Sequence, residues 1–431
     1  MTALRAEGVF KVFGRRPNEA VRRLREGATR EDVRPFGTAA VIDADLRVES
    51  GETFVVMGLS GSGKSTLIRM LNGLWRPTAG SVVIGDDDLA TVDDRRLREL
   101  RRRRVSMVFQ HFALLPHRTV LDNAAYPLEI QGVDRTERRR RAGEALELVG
   151  LSGWGDSLPS QLSGGMRQRV GLARALAADT DVLLMDEAFS ALDPLIRREM
   201  QDQLLDLQQN LGKTIVFITH DLNEAMYLGD RIAVMRDGRI VQTGTAEQIL
   251  SDPANDYVAQ FVADVDRTRV LTASSVMVAP RAVVPHAGGP RQASRTMREA
   301  QVSAAYVVDR QRRLTGIVRD DEVVAAVREG RETMDGLVRE GVAPVSPDTA
   351  LADVFAPAAE SALPVPVTDE AGRLVGVVPR VTLLEAMVPP ETSGTDDDDD
   401  PPALDAPTDA VPADEVLDAV DAHATTAGGA R

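Results

Sequence analysis

The stretch "GLSGSGKST" at 58–66 spaces Gly58, Gly63, Lys64 and Ser65 as G-x-x-x-x-G-K-S. That spacing suits phosphate. Glycines free the main chain to wrap N–H groups around an anion, Lys64 adds a compact positive charge, and Ser65 offers a hydroxyl to a divalent cation. Ser60, Gly61, Ser62 and Thr66 complete the loop and its exit. At about 4 Å and an effective dielectric near 20, one lysine–phosphate pair is worth about 4 kcal/mol. Lysine is scarce here: Lys11, Lys64 and Lys213 stand against 48 arginines, so its use at 64 is informative. Farther on, "VLLMDE" at 182–187 ends an apolar run in Asp186 and Glu187. Asp186 is placed to hold magnesium, and Glu187 to take a proton from an attacking water. A third stretch, "LSGGMRQRVGLARALA" at 162–177, opens a helical pattern with Ser163, Gly164 and Gly165. Free N–H groups there form another phosphate grip. One domain has no obvious need of two.

Short apolar strands alternating with amphipathic helices must hold these residues, and residues 1–265 carry that α/β pattern. "TFVVM" (53–57), "VLLM" (182–185) and "TIVFIT" (214–219) suit buried parallel strands. The first precedes the glycine loop, and the helical pattern "LIRMLNGL" follows it, which is the context a P-loop requires. "RIAVMRDGRIVQTG" predicts a hairpin turning at Asp237-Gly238. Between 14 and 40 lies a polar, arginine-rich insertion, read as one or two short helices with Thr29 and Asp32 as a capping box. Residues 271–389 hold a weak repeat at an offset of 60, in which Leu314, Gly316 and Val318 align with Leu374, Gly376 and Val378. Each unit, 271–330 and 331–389, reads as strand, turn, strand, helix, and two would pack together.

The 431 residues contain no cysteine, which excludes disulfides, thiolate metal sites and cysteine nucleophiles. No apolar run reaches eighteen residues, and the start "MTALRAEGVF" lacks a signal-peptide pattern. The expected location is cytoplasmic. From Glu391 onward there are twelve acidic residues and one arginine, so 391–431 supplies −11 of the net −15 and should be disordered. Arginine elsewhere is interspersed with acids, which argues against a nucleic-acid partner. An exception is Arg281 to Arg319, where eight arginines meet two acids and form a basic face suited to anionic lipid.

The P-loop, "LSGG", the Asp186-Glu187 pair and "HD" at 220–221, in this order, resemble the ABC-transporter ATPases over residues 1–265. The resemblance answers the question of two grips. In that family two subunits pack head to tail, and the signature of each completes the ATP site of the other. It implies that Ser163, Gly164 and Gly165 hold the γ-phosphate on the partner's P-loop, with Met166 standing where glutamine is usual. It further implies that Gln110 in "VFQHFALLPH" senses the γ-phosphate and joins Ser65 and Asp186 at Mg2+. Asp193 would bridge the subunits, and His220 would steady the γ-phosphate and Glu187. Two readings fit Phe13: stacking on adenine, or capping the core of the first strand.

"MGLSGSGKSTLIRMLNGL", "HFALLPHRTVLDN", "MDEAFSALDPLIRREMQ" and the 14–40 insertion resemble the ATP-binding subunits of glycine betaine/proline importers. The repeat resembles their paired CBS domains. The implied fold is an ABC-type P-loop ATPase domain, then a tandem CBS α/β pair, then the acidic tail. The implied partners are a second copy, transmembrane permease subunits and an extracytoplasmic binding protein, with the chain peripheral at the cytoplasmic face of the membrane. Nucleotide-binding CBS repeats place Ser/Thr and Asp where this chain has Arg319 and Glu322, then Pro379 and Thr382, which argues against adenine-nucleotide sensing. A ligand-free appendage that stabilises the dimer is the competing reading. Two other functions stay open: import of another solute, such as an amino acid or organic anion, and a non-transport ABC ATPase.

Overall fold

Strands Thr53–Met57, Val182–Asp186 and Thr214–Thr219 are buried along their whole length, which is why they read as unbroken apolar runs. The computed structural model describes residues 2–109, 113–190, 192–341 and 343–388. Gln110 and the acidic tail therefore lie outside the described residues. The six-stranded sheet runs in the order Arg239–Gly244, Arg231–Arg236, Thr53–Met57, Thr214–Thr219, Val182–Asp186, Val105–Val108. It is parallel except at the first pair.

Successive side chains on each strand face opposite ways, and this alternation builds two cores. Val55, Met57, Leu183, Met185, Ile215 and Phe217 pack toward helices Val120–Ile130, Arg135–Leu148 and Gly164–Ala177. Phe54, Val56, Leu184, Val216 and Ile218 pack toward helix Lys64–Leu71 and an antiparallel sheet. That sheet is ordered Thr38–Glu49, Thr2–Phe13, Ala79–Ile84, Asp87–Asp88. The hairpin turns where expected, with Asp237 and Gly238 at φ of 49° and 84°, the left-handed pair that a tight type I′ turn needs.

Two expectations about the insertion change. Thr38–Ala40 belong to the strand, pairing with the end of the first, so the excursion ends at 37. Helix Pro17–Arg25 forms within it. Thr29 and Asp32 do exchange hydrogen bonds, at 2.8 Å and 3.2 Å, but they close a turn and no helix follows.

The C-terminal repeat is visible as two matching hairpins, Ala304–Val308 with Leu314–Arg319 and Val365–Thr368 with Leu374–Val378. Helix Asp320–Arg328 follows the first and Arg380–Met387 the second. Leu314 and Leu374 hold the same register, and each donates its N–H across to the other turn, to Gly372 O at 3.0 Å and Arg312 O at 3.1 Å. The units are not closed in sequence order, however. Leu271 and Ala273 pack into the core of the second hairpin, and Val278 pairs with Val377. Arg339, from the start of the second unit, pairs with Ile317 of the first. Each repeat thus lends its leading segment to the other. Between them lies a cleft of about 420 Å3 lined by Arg281, Ser303, Tyr306, Pro364 and Pro379, with no carboxylate on its wall among the described residues. Glu322 is taken up by Arg339 at 3.0 Å, and Thr382 by Pro379 O at 2.8 Å.

Phe217 is fully buried in the first core and tilts against Phe189 at 5.5 Å. Phe217→Ala should cost about 3–5 kcal/mol, read as a lower denaturation midpoint of the full-length chain. A shift under about 1 kcal/mol would show that this core is not closely packed there.

Candidate functional site

Met57 pairs with Thr219, and Asp186 with Ile218, across the parallel ladder. The loop at 58–63, Glu187 and His220 therefore emerge side by side at the carboxyl ends of adjacent strands, where such sheets bind ligands. The glycines at both ends of the loop are forced. A Cβ on Gly58 would lie 2.3 Å from Met235 O, and one on Gly63 2.2 Å from Ala40 O, with Gly63 at φ 103°. Ser60 and Gly61 are exposed between them, and Thr66 is half-buried in the helix that follows.

Lys64 is only 4% exposed. Its Nζ donates to Gly58 O at 2.7 Å and Leu59 O at 3.0 Å. Burial pushes its pKa down, while Glu187 and Asp186 push it back up. Ser65 Oγ donates to Asp186 Oδ1 at 3.3 Å. Burial raises the Asp186 carboxyl, against the pull of Arg69 and the Ser65 hydroxyl. A hydroxyl and a carboxylate held together in this way match the oxygen ligands of a hard divalent cation. Ser62 Oγ is buried without a hydrogen-bond partner. An orphaned hydroxyl beside a buried ammonium fits a phosphate.

Glu187 sits just past its strand at φ 45°, with its N–H on Ile218 O at 2.9 Å. Its Oε2 lies 3.2 Å from His220 Nδ1. These two expected partners do meet. Ser163 caps helix Gly164–Ala177 by accepting from Met166 N at 3.3 Å, and Gly164 and Gly165 open its first turn. Among the described residues, no hydrogen bond or ion pair joins Ser163, Gly164 or Gly165 to the 58–66 loop. Asp193 caps helix Pro194–Leu211 through Ile196 N at 3.1 Å. Phe13 stands 38% exposed at the end of the first strand, edge-on to Trp75 at 5.0 Å and with Lys11 Nζ 5.1 Å from its ring centroid.

Sequence reasoning missed Gln168. Buried one turn into the signature helix, it donates to Ala188 O and so ties that helix to the loop bearing Glu187. A polar residue on the buried face of the helix was the available signal.

Residues 41–190 match the ABC transporter family, and 273–329 and 335–389 match the CBS domain. The chain is 49% identical over 389 residues to the glycine betaine/carnitine transport ATP-binding protein of Listeria monocytogenes, covering 90% of this chain and 98% of that one. This chain belongs to the glycine betaine family of ABC-transporter ATP-binding subunits. The glycine betaine/proline betaine transport ATP-binding protein of Escherichia coli is 44% identical over 389 residues, 89% of this chain and 97% of that one. The trimethylamine N-oxide transport ATP-binding protein of Ruegeria pomeroyi is 48% identical over 327 residues, 75% of this chain and 94% of that one. In this ABC subunit the P-loop, the acidic pair and the histidine thus stand in the expected order and in one place.

If Ser62 is held for a phosphate, its removal acts with opposite signs on fold and ligand. Ser62→Ala should leave the melting midpoint of the ATP-free subunit unchanged or higher, because an unsatisfied buried hydroxyl is lost. ATP affinity should fall about fivefold, the worth of roughly 1 kcal/mol of hydrogen bonding. Equal loss of stability and affinity would show that the hydroxyl belongs to the fold.

Proposed function

We propose that this subunit hydrolyses ATP at Lys64, Asp186, Glu187 and His220 to drive uptake of a quaternary amine, glycine betaine or proline betaine, by a membrane importer. The contact that carries this reading is Glu187 Oε2 to His220 Nδ1 at 3.2 Å, beside the buried Lys64. The solute comes from the relatives' names.

The loop amides and Lys64 hold the β- and γ-phosphates. Ser65, Asp186 and Gln110 would hold Mg2+, which when bound offsets charge on the transferring oxygens. Water attacks the γ-phosphorus, the bond to the ADP oxygen breaks, and Glu187 takes the water's proton. His220 holds Glu187 in line for that transfer and faces the γ-phosphate. Phe13, exposed at the strand end, stacks on adenine.

The site is completed by a second copy, whose Ser163, Gly164 and Gly165 grip the γ-phosphate and whose Asp193 meets the first copy across the interface. That no hydrogen bond or ion pair joins the signature to its own P-loop among the described residues supports this reading. We assign residues 1–265 to the ATPase, 271–330 and 331–389 to the CBS repeats, and 391–431 to an acidic tail. Among the described residues no helix is long and apolar enough to cross a membrane. The relatives are ATP-binding subunits of transport systems, and this supports a subunit that works peripherally at the cytoplasmic face, against permease subunits fed by an extracytoplasmic binding protein. The CBS pair regulates it. All eight arginines from 281 to 319 are exposed, which supports contact with anionic lipid. A second solute, trimethylamine N-oxide, is favoured by the Ruegeria relative.

Two substitutions separate binding from chemistry. Lys64→Ala should lose ATP affinity and turnover together. Glu187→Gln should keep ATP within about twofold of normal affinity while turnover drops about 10²–10⁴-fold. Vesicles holding the assembled importer should take up glycine betaine with the natural chain and not with Glu187→Gln. Near-normal phosphate release from Glu187→Gln would remove it as the base, and uptake of trimethylamine N-oxide alone would reassign the solute.

A further inference from the structure

We infer that Arg197 is a positioning residue that locks the loop bearing Glu187 to the turn bearing His220. The inference rests on the roles proposed above for those two side chains. After Glu187 the chain folds tightly: Ser190 returns its N–H and its hydroxyl to Glu187 O at 3.2 Å and 2.9 Å, and Leu192 N reaches Phe189 O at 3.2 Å. Asp193 then caps helix Pro194–Leu211, and Arg197 lies one turn in, with its N–H on Asp193 O at 2.9 Å.

The guanidinium turns back toward the loop it has just left. Nη2 donates to Leu192 O at 3.1 Å and reaches Ser190 O at 3.5 Å. Nη1 donates to Asp221 Oδ2 at 3.3 Å. Asp221 divides its carboxylate between two tasks. Oδ1 accepts from Asn223 N at 3.0 Å and Glu224 N at 3.2 Å, capping helix Leu222–Leu228, and Oδ2 is left for Arg197. The Asp221 N–H is itself fixed on Thr219 Oγ1 at 2.9 Å. The backbone is thus pinned on both sides of His220, and one planar fork ties it to the segment that follows Glu187. A lysine ammonium has no such fork and cannot span both loops in fixed geometry.

The neighbouring arginine is differently engaged. Arg198 pairs with Asp202 at 3.3 Å and lies over the Tyr227 ring at 3.7 Å, touching neither loop. It is the natural control.

In the assembled importer, Arg197→Ala should lower kcat about tenfold or more, the worth of hydrogen bonds to a charged group. ATP affinity should stay within about twofold, because no P-loop contact is lost. Arg197→Lys should recover little of the loss. Asp221→Asn keeps a good helix cap and should slow turnover in the same way. The Arg197→Ala/Asp221→Asn double variant should be no slower than the slower single one, because both break one link. Arg198→Ala should keep kcat within about twofold of normal. A normal kcat in Arg197→Ala, or a fall in kcat, ATP affinity and melting midpoint together, would overturn the inference. Glu187→Gln measured alongside separates the two failures. If it turns over normally, the reading of the site falls and takes Arg197 with it. If it is inactive while Arg197→Ala is normal, only the positioning role is lost.

Discussion

A buried ammonium whose hydrogen bonds go to two main-chain carbonyls organises this molecule. Lys64 is taken out of water by the loop that follows the central strand, and among the described residues the carboxylates that help to hold its charge are Glu187 and Asp186. Burying a charge costs several kcal/mol unless it finds opposite charge and hydrogen bonds. A polyphosphate supplies both. The same constraint accounts for the neighbouring glycines, since Gly58 and Gly63 let the loop close against Met235 O and Ala40 O. Adjacent parallel strands deliver the P-loop, the acidic pair and His220 to the same edge, around that ammonium.

The C-terminal part obeys a different constraint. Neither hairpin of the repeat carries a closed core of its own, and each completes itself with the other's leading segment. Tyr306 makes the same point, since its hydroxyl donates to Pro364 O at 2.7 Å across the repeats. Burial pushes that phenol up to about 12, so it stays a neutral donor at any physiological pH. The pair is therefore one packed unit, and the cleft between its halves is shaped by both.

What was legible in the chain was local or fully buried. Thr53–Met57 and Thr214–Thr219 could be read to the residue because every position is interior, and the Asp237-Gly238 turn because its backbone demands that chemistry. Spacing alone located Lys64, Ser65, Asp186 and Glu187. The Thr29–Asp32 exchange was legible as a bond but not as the start of a helix, since a turn satisfies it equally. The exchange of leading segments was not legible, because pairing of Val278 with Val377 is non-local and leaves no periodic trace. Nor was Arg197, one of 48 arginines whose partners include main-chain carbonyls that any sequence would offer.

The claim on which the rest depends is that a second copy completes each ATP site. Chains carrying Lys64→Ala have a sound signature and a failed P-loop, and chains carrying Gly165→Asp have the reverse, with a carboxylate set where a phosphate should meet the helix. Each is expected to be inactive alone. When the two are mixed, every mixed dimer holds one site with both lesions and one with neither. The measurement is ATP turnover of that mixture, with mixed dimers verified by differential tags. Turnover should recover in the mixture, and none at all, with mixed dimers present, would exclude completion of the site by a second copy.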